Sequence, residues 1–124
     1  MAQKRVLVIE DDEKARMAIK AALESAGYDV EASLHLVSAI GATLSGDYGL
    51  IMLDPGIPGI GRREVEEMIQ LSSVVTPVLV VSDSLDDAKV QELQELGIRH
   101  FLLKPFQTQD LLEAVEAAIS REGG

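Results

Sequence analysis

The chain has 124 residues, 47% of them hydrophobic, a formal net charge of −10 at pH 7 and no cysteine. That length and apolar content suit one domain around a single core, and the acidic balance argues against binding nucleic acid, whose phosphates it would repel. Absent cysteine rules out disulfides and thiolate metal sites, no run is long enough to span a bilayer, and no secretory signal is visible, which together suit the cytoplasm.

Val6-Leu7-Val8-Ile9 reads as a first strand, and it stops at Glu10-Asp11-Asp12. Over 13–27, Ala15, Ala18, Ile19, Ala22, Leu23 and Ala26 recur at helical spacing, and Gly27 supplies the stop. Tyr28, Val30 and Ala32 then alternate with Asp29, Glu31 and Ser33, the pattern of an edge strand with one wet face. A second helix is expected over 35–45, with Leu36 or Val37, Ile40 and Leu44 facing inward. The third strand, Leu50-Ile51-Met52-Leu53, ends in Asp54 and runs into the turn-rich Pro55-Gly56-Ile57-Pro58-Gly59-Ile60-Gly61.

A third helix over 63–72 places Val65, Met68 and Ile69 on one face. Val78-Leu79-Val80-Val81 is the fourth strand and ends in Ser82-Asp83. Asp86 is the expected cap of a fourth helix that carries Val90, Leu93 and Leu96 to Gly97. Phe101-Leu102-Leu103 forms the last strand and stops at Lys104-Pro105. Thr108 is the expected cap of a fifth helix with Leu111, Leu112, Val115, Ala118 and Ile119, after which the tail 120–124 reads as polar and frayed. No repeat or linker divides the chain, so 1–124 is read as one domain.

Short apolar runs alternating with helical patterns mark parallel strands buried on both faces. Five such units predict an α/β fold with right-handed crossovers and five helices shared between the two faces of the sheet. One wet edge strand and four apolar runs suit the flavodoxin-like, doubly wound order 2-1-3-4-5, with the fifth strand at the other edge. Ligands bind where the strand ends of such sheets open. Glu10, Asp11, Asp12, Asp54, Ser82 and Lys104 would therefore converge on one pocket.

Carboxylates gathered in one cleft repel one another, and Mg2+ relieves this because it takes a few carboxylates and keeps several waters. A carboxylate can also attack phosphorus and become an aspartyl phosphate. That transfer needs positioning and neutralised oxygen charge more than covalent help. Mg2+ on Asp11 and Asp54, the Lys104 ammonium and the Ser82 hydroxyl would supply both. The plainer reading keeps Glu10 to Glu13 as charge at a helix N-terminus.

Val8-Ile9-Glu10-Asp11-Asp12 followed by Arg16, Leu53-Asp54 with Pro58 four residues on, Val80-Val81-Ser82, and Phe101-Leu102-Leu103-Lys104-Pro105-Phe106 together resemble the receiver domain of two-component response regulators. The resemblance implies that Asp54 is the phosphoacceptor, that Asp11 ligates Mg2+ directly with Glu10 acting through water, and that the Gly56 carbonyl completes the metal site. It implies Ser82 as switch hydroxyl, Phe101 as switch aromatic, and Lys104 as a phosphoryl contact that pairs with Asp54 beforehand. A cis Lys104-Pro105 bond is implied too, while Asp12 and Glu13 are left as solvated charge.

A histidine kinase or phosphotransfer protein would be the donor, since His35 and His100 form no shuttle pair. A downstream effector protein or output domain would read the surface of the fourth helix, fifth strand and fifth helix. The chain would catalyse only its own phosphorylation and dephosphorylation, with no separate catalytic domain.

The sequence departs from that pattern in places. Pro55 restrains Asp54 toward extended backbone, Arg62 stands where a glycine is common, and Asp83 replaces a small residue beside the acceptor. Asp83 either partly covers the site and repels an incoming phosphoryl group or points to solvent. The competing reading is a degenerate receiver that acts as a phosphate-independent interaction module. A haloacid-dehalogenase-type hydrolase wants an acid where Gly56 stands, and a flavin phosphate would be repelled by Glu10-Asp11-Asp12-Glu13. Glu113 and Glu116 on the last helix do not suit the basic dimer interface of winged-helix regulators, which leaves a homodimer of another kind open.

Overall fold

Residues that bury both faces of a strand read as unbroken apolar runs, and the computed structural model shows where those faces go. It describes residues 4–34, 48–56, 61, 63–64, 66–67, 70 and 76–123. The strands β1 (Arg5–Ile9), β2 (Asp29–Ser33), β3 (Leu50–Leu53), β4 (Val78–Ser82) and β5 (His100–Leu103) form one parallel sheet in the expected order β2-β1-β3-β4-β5. Three helices are described, α1 (Glu13–Ser25), α2 (Asp87–Glu95) and α3 (Thr108–Gly123). Arg63, Glu64, Glu66, Glu67 and Gln70 are helical as well. The helix expected over 35–45 lies outside the described residues, as do His35, Arg62, Val65, Met68 and Ile69. Among the described residues no helix is long and apolar enough to cross a membrane.

Alternation along each strand sorts the core into two layers. Leu7 and Ile9 pack with Ile51, Leu53, Val80 and Leu93. Val6 and Val8 pack with Met52, Leu79, Ile19, Leu23, Leu111 and Val115 on the opposite face, beneath α1 and α3. Truncating a fully buried leucine such as Leu79 to alanine should cost about 2–5 kcal/mol, a large share of the ~5–15 kcal/mol a domain has to lose. At the β2 edge Val30 is buried while Asp29 and Glu31 face solvent and pair with Arg5 at 3.3 and 4.0 Å. The other edge, β5, leaves Leu103 54% exposed.

Helix ends refine the sequence reading. Asp12 is not idle charge: its carboxylate accepts the Ala15 N–H at 2.9 Å and caps α1. Asp86 caps α2 in the same way, through the Lys89 N–H at 2.8 Å. Gly27 and Gly97 turn the chain after α1 and α2 with φ of 95° and 103°, where a side chain would strain the backbone. Thr108, however, is the first residue of α3 and not its cap. The Gln107 carbonyl accepts the Leu111 N–H at 3.1 Å as the first helical bond, and the Gln107 N–H donates to the Asp110 carboxylate at 3.3 Å, which puts the cap one position earlier. The tail expected to fray from Ser120 is helical through Gly123. On α1, Ile19 and Leu23 are buried whereas Ala18 and Ala26 are exposed, because only a narrow stripe of the helix meets the sheet.

Candidate functional site

Three of the four parallel ladders continue one rung past their strands. The Glu10 N–H donates to the Ser33 carbonyl at 3.2 Å, the Asp54 N–H to Ile9 at 3.2 Å, and the Lys104 N–H to Ser82 at 2.8 Å. Buried backbone groups must be paired, so the bonds that finish the sheet also fix where these three side chains begin. Ile9 lies beside Leu53, and carrying that register one residue further sets Glu10 beside Asp54. Alternation then directs both toward the face of Val8 and Met52.

On that face the Lys104 ammonium reaches Glu10 Oε1 at 2.5 Å and Asp54 Oδ2 at 2.6 Å. Asp54 Oδ1 accepts the Gly56 N–H at 2.8 Å, closing a tight turn through Pro55. A β-carbon on Gly56 would lie 3.1 Å from that same oxygen, so the close approach depends on glycine. Glu10 is only 2% exposed, and its Oε2 is buried with no hydrogen-bond partner among the described residues. Burial pushes the Glu10 carboxyl above the usual glutamate range; Lys104 opposes this and the neighbouring Asp54 adds to it. Burial disfavours the charged form of Lys104, yet its bonds to Asp54 and Glu10, together with their charges, hold it above the usual lysine value. The Lys104-Pro105 peptide bond is cis.

Ser82 is buried, and its hydroxyl is occupied locally: it accepts the Ser84 N–H at 3.1 Å and donates to the Ser84 carbonyl at 3.3 Å. It sits on the strand whose Val78 and Val80 belong to the layer against which Phe101 packs. Asp83 is exposed and, with Pro55, Gly56, Ser82 and Lys89, lines an open depression beside the loop that follows Asp54. Arg16 Nη1 donates to the carbonyls of Glu10 at 3.1 Å and Asp11 at 3.5 Å. His100 opens β5 and is half-buried.

Glu10, Asp54 and Lys104 are thus brought together, whereas Asp11 is exposed. Among the described residues, no three acidic or imidazole side chains converge tightly enough to hold a metal ion as they stand. Two acidic side chains, Glu10 and Asp54, meet on the Lys104 ammonium. The donor set still fits a hard cation, since it offers only oxygens and includes a buried carboxylate oxygen without a partner.

Sequence reading pairs Lys104 with Asp54 alone and misses the Glu10 partner, the Arg16 clasp and the Ser82–Ser84 pair. The signal for the first was period-two alternation, which sends Glu10, Asp54 and Lys104, at the ends of β1, β3 and β5, to one face of the sheet. The other two are contacts to backbone, on which side-chain patterns are silent.

The family model for the response regulator receiver domain matches residues 6–116. The chain belongs to the response regulator receiver domain family. This receiver domain is 31% identical over 125 residues to the uncharacterized transcriptional regulatory protein YkoG of Bacillus subtilis, a match covering 99% of the chain and 54% of that protein. It is 32% identical over 122 residues to the cell cycle response regulator CtrA of Brucella ovis, covering 97% and 52%. The receiver domain therefore spans about half the length of the curated relatives it matches. Its structure is similar to the chemotaxis protein CheY4 of Vibrio cholerae, with a TM-score of 0.83 at 25% identity over 92% of this chain and 97% of that one. A CheY-like receiver domain protein from Methanospirillum hungatei shares the fold at a TM-score of 0.86 and 21% identity, covering 96% and 95%.

Proposed function

We propose that this receiver domain is the phosphoacceptor switch of a two-component phosphorelay, taking a phosphoryl group onto Asp54 from a histidine kinase or phosphotransfer protein. The observation that carries the reading is the Lys104 ammonium, seated between Asp54 and the buried Glu10 where the sheet opens. A carboxylate nucleophile held beside a fixed cation is what a reaction governed by oxygen charge requires.

In this reading the Asp54 carboxylate forms a bond to phosphorus as the phosphorus–nitrogen bond of the partner's phosphohistidine breaks. Lys104 keeps its place and moves its contact from the free carboxylate to a phosphoryl oxygen. Mg2+, held by Asp11, Asp54 and the Gly56 carbonyl with Glu10 acting through water, would supply further neutralisation of the phosphoryl charge. Ser82 gives up the Ser84 carbonyl and donates to the phosphoryl group instead. Phe101, which packs against the layer of Val78 and Val80, turns inward as the hydroxyl leaves. The surface of α2, β5 and α3 then shifts between two pre-existing arrangements, which a downstream effector protein or an output domain reads. Attack of water on the aspartyl phosphate resets the switch. Such a relay operates in the cytoplasm, and the acidic chain needs no contact with nucleic acid or membrane.

The test is the intact-protein mass after incubation with a small acyl phosphate, with and without Mg2+, beside Asp54→Asn. One phosphoryl adduct that requires both Mg2+ and Asp54 is expected. No adduct from the acyl phosphate or from a phosphohistidine donor would overturn the reading in favour of a phosphate-independent interaction module.

A further inference from the structure

Arg16 lies outside the group of residues that would touch the phosphoryl group, yet its side chain reaches back from α1 to the backbone of the acidic turn. Its Nη1 donates to the Glu10 carbonyl at 3.1 Å and the Asp11 carbonyl at 3.5 Å. Its own backbone N–H donates to the Asp12 carbonyl at 2.9 Å. Three successive carbonyls are thus claimed by a single residue. Fixing successive peptide planes fixes the directions in which Glu10 and Asp11 leave the backbone, the first buried and the second exposed. The guanidinium also brings positive charge to the run Glu10-Asp11-Asp12-Glu13 without taking a carboxylate: both of its side-chain bonds go to carbonyls.

We infer that Arg16 is a positioning residue for the Mg2+ site, holding the Glu10-Asp11 turn in the form that binds the cation; the inference rests on the function proposed above. Outer partners that orient metal ligands typically contribute about 10–100-fold to metal affinity. Both bonds leave one nitrogen, Nη1, whose N–H groups are fixed in the rigid guanidinium plane, whereas lysine presents a point charge on a flexible stem.

The experiment compares the wild-type chain with Arg16→Gln and Arg16→Lys. Mg2+ binding is followed by amide chemical shifts at positions 10–12 and 54–56, and acyl-phosphate labelling is measured across a Mg2+ series. Thermal melts establish that each variant is folded. Arg16→Gln should weaken Mg2+ binding by about tenfold or more, and the Mg2+ needed for half-maximal labelling should rise by the same factor while the maximal rate falls less. Arg16→Lys should recover part of the affinity. An unchanged Mg2+ dissociation constant in Arg16→Gln overturns the inference, as does a folded variant that binds Mg2+ normally and cannot be labelled. Should Arg16→Gln fail to fold, Arg16→Lys decides: wild-type Mg2+ affinity in that variant overturns the inference, and intermediate affinity supports it. A wild-type chain that binds no Mg2+ brings down the proposed function and this inference together, whereas failure confined to the variants' predicted defect removes this inference alone.

Discussion

The Lys104 ammonium and Glu10 Oε1 meet at 2.5 Å across 94 residues of sequence, and Asp54 shares the same ammonium. Removing it leaves two carboxylates facing each other with little water between them. The lysine side chain is 23% exposed, so solvent screens part of the effect. Lys104→Ala should lower stability by about 2 kcal/mol, short of the figure for a fully buried pair. Urea denaturation measures this, and added Mg2+ should restore more stability to the variant than to the wild type. An unshifted urea midpoint would show that the carboxylates do not need the cation.

Glu10 sets a pH dependence of definite sign. Its pKa in the folded chain is raised above the ordinary 4.5, so the folded state holds the proton more tightly than the unfolded state. The resulting stabilisation is present below the ordinary value and is lost as pH rises through the raised one. Glu10→Gln cannot titrate. The stability difference, Glu10→Gln minus wild type, should therefore grow as pH is raised from 4 through 6, read from urea melts at each pH. A difference that shrinks over that interval would reverse the assignment.

Ser82 and Ser84 form a closed pair, with the hydroxyl both accepting and donating. In Ser82→Ala the Ser84 N–H loses its acceptor, at about 1 kcal/mol. Amide exchange at Ser84 should quicken accordingly, while exchange in β1 follows only the global stability. Unchanged protection at Ser84 would mean that the turn holds itself.

Asp83 stands exposed at the rim beside Pro55 and Gly56. A like charge near the entering phosphoryl group opposes it by roughly 0.5–1 kcal/mol in a water-like medium. Asp83→Ala should then label about threefold faster with acyl phosphate, with stability within about 0.5 kcal/mol of wild type. Equal rates in the two proteins would retire the idea that Asp83 obstructs the site.

The cap of α2 gives a test of local helix stability. Asp86→Ala removes the carboxylate that meets the Lys89 N–H at 2.8 Å, and the expected loss is about 1 kcal/mol. A thermal melt with no shift would place the start of α2 under the control of packing at Leu93 instead of its cap.

Strands were the most legible part of the sequence because burial on both faces leaves no polar interruption: β1, β3 and β4 fall on their apolar runs. The edge strand β2 was legible for the opposite reason, since solvent on one face writes alternation into it. Thr108 misled because a hydroxyl looks like a cap, whereas Asp110 reaches back to Gln107 and moves the helix start. At the site, strand ends announced which residues gather but not which bonds they make. Asp11 and Glu10 are neighbours of the same charge, and only the three-dimensional path separates an exposed carboxylate from one that is 2% exposed.

The rungs beyond the strands give the pocket two unequal halves. Glu10, Asp54 and Lys104 are hung on backbone bonds of the sheet itself, so that half is a fixed leaf, and moving it means breaking the ladder. Ser82 hangs on the same sheet, its carbonyl accepting the Lys104 N–H at 2.8 Å, but among the described residues its hydroxyl bonds only to Ser84, so it can turn without breaking the ladder. In the function proposed above, the part of the pocket left to respond is therefore a single hydroxyl, and everything else is anchored where the last hydrogen bonds of the sheet end.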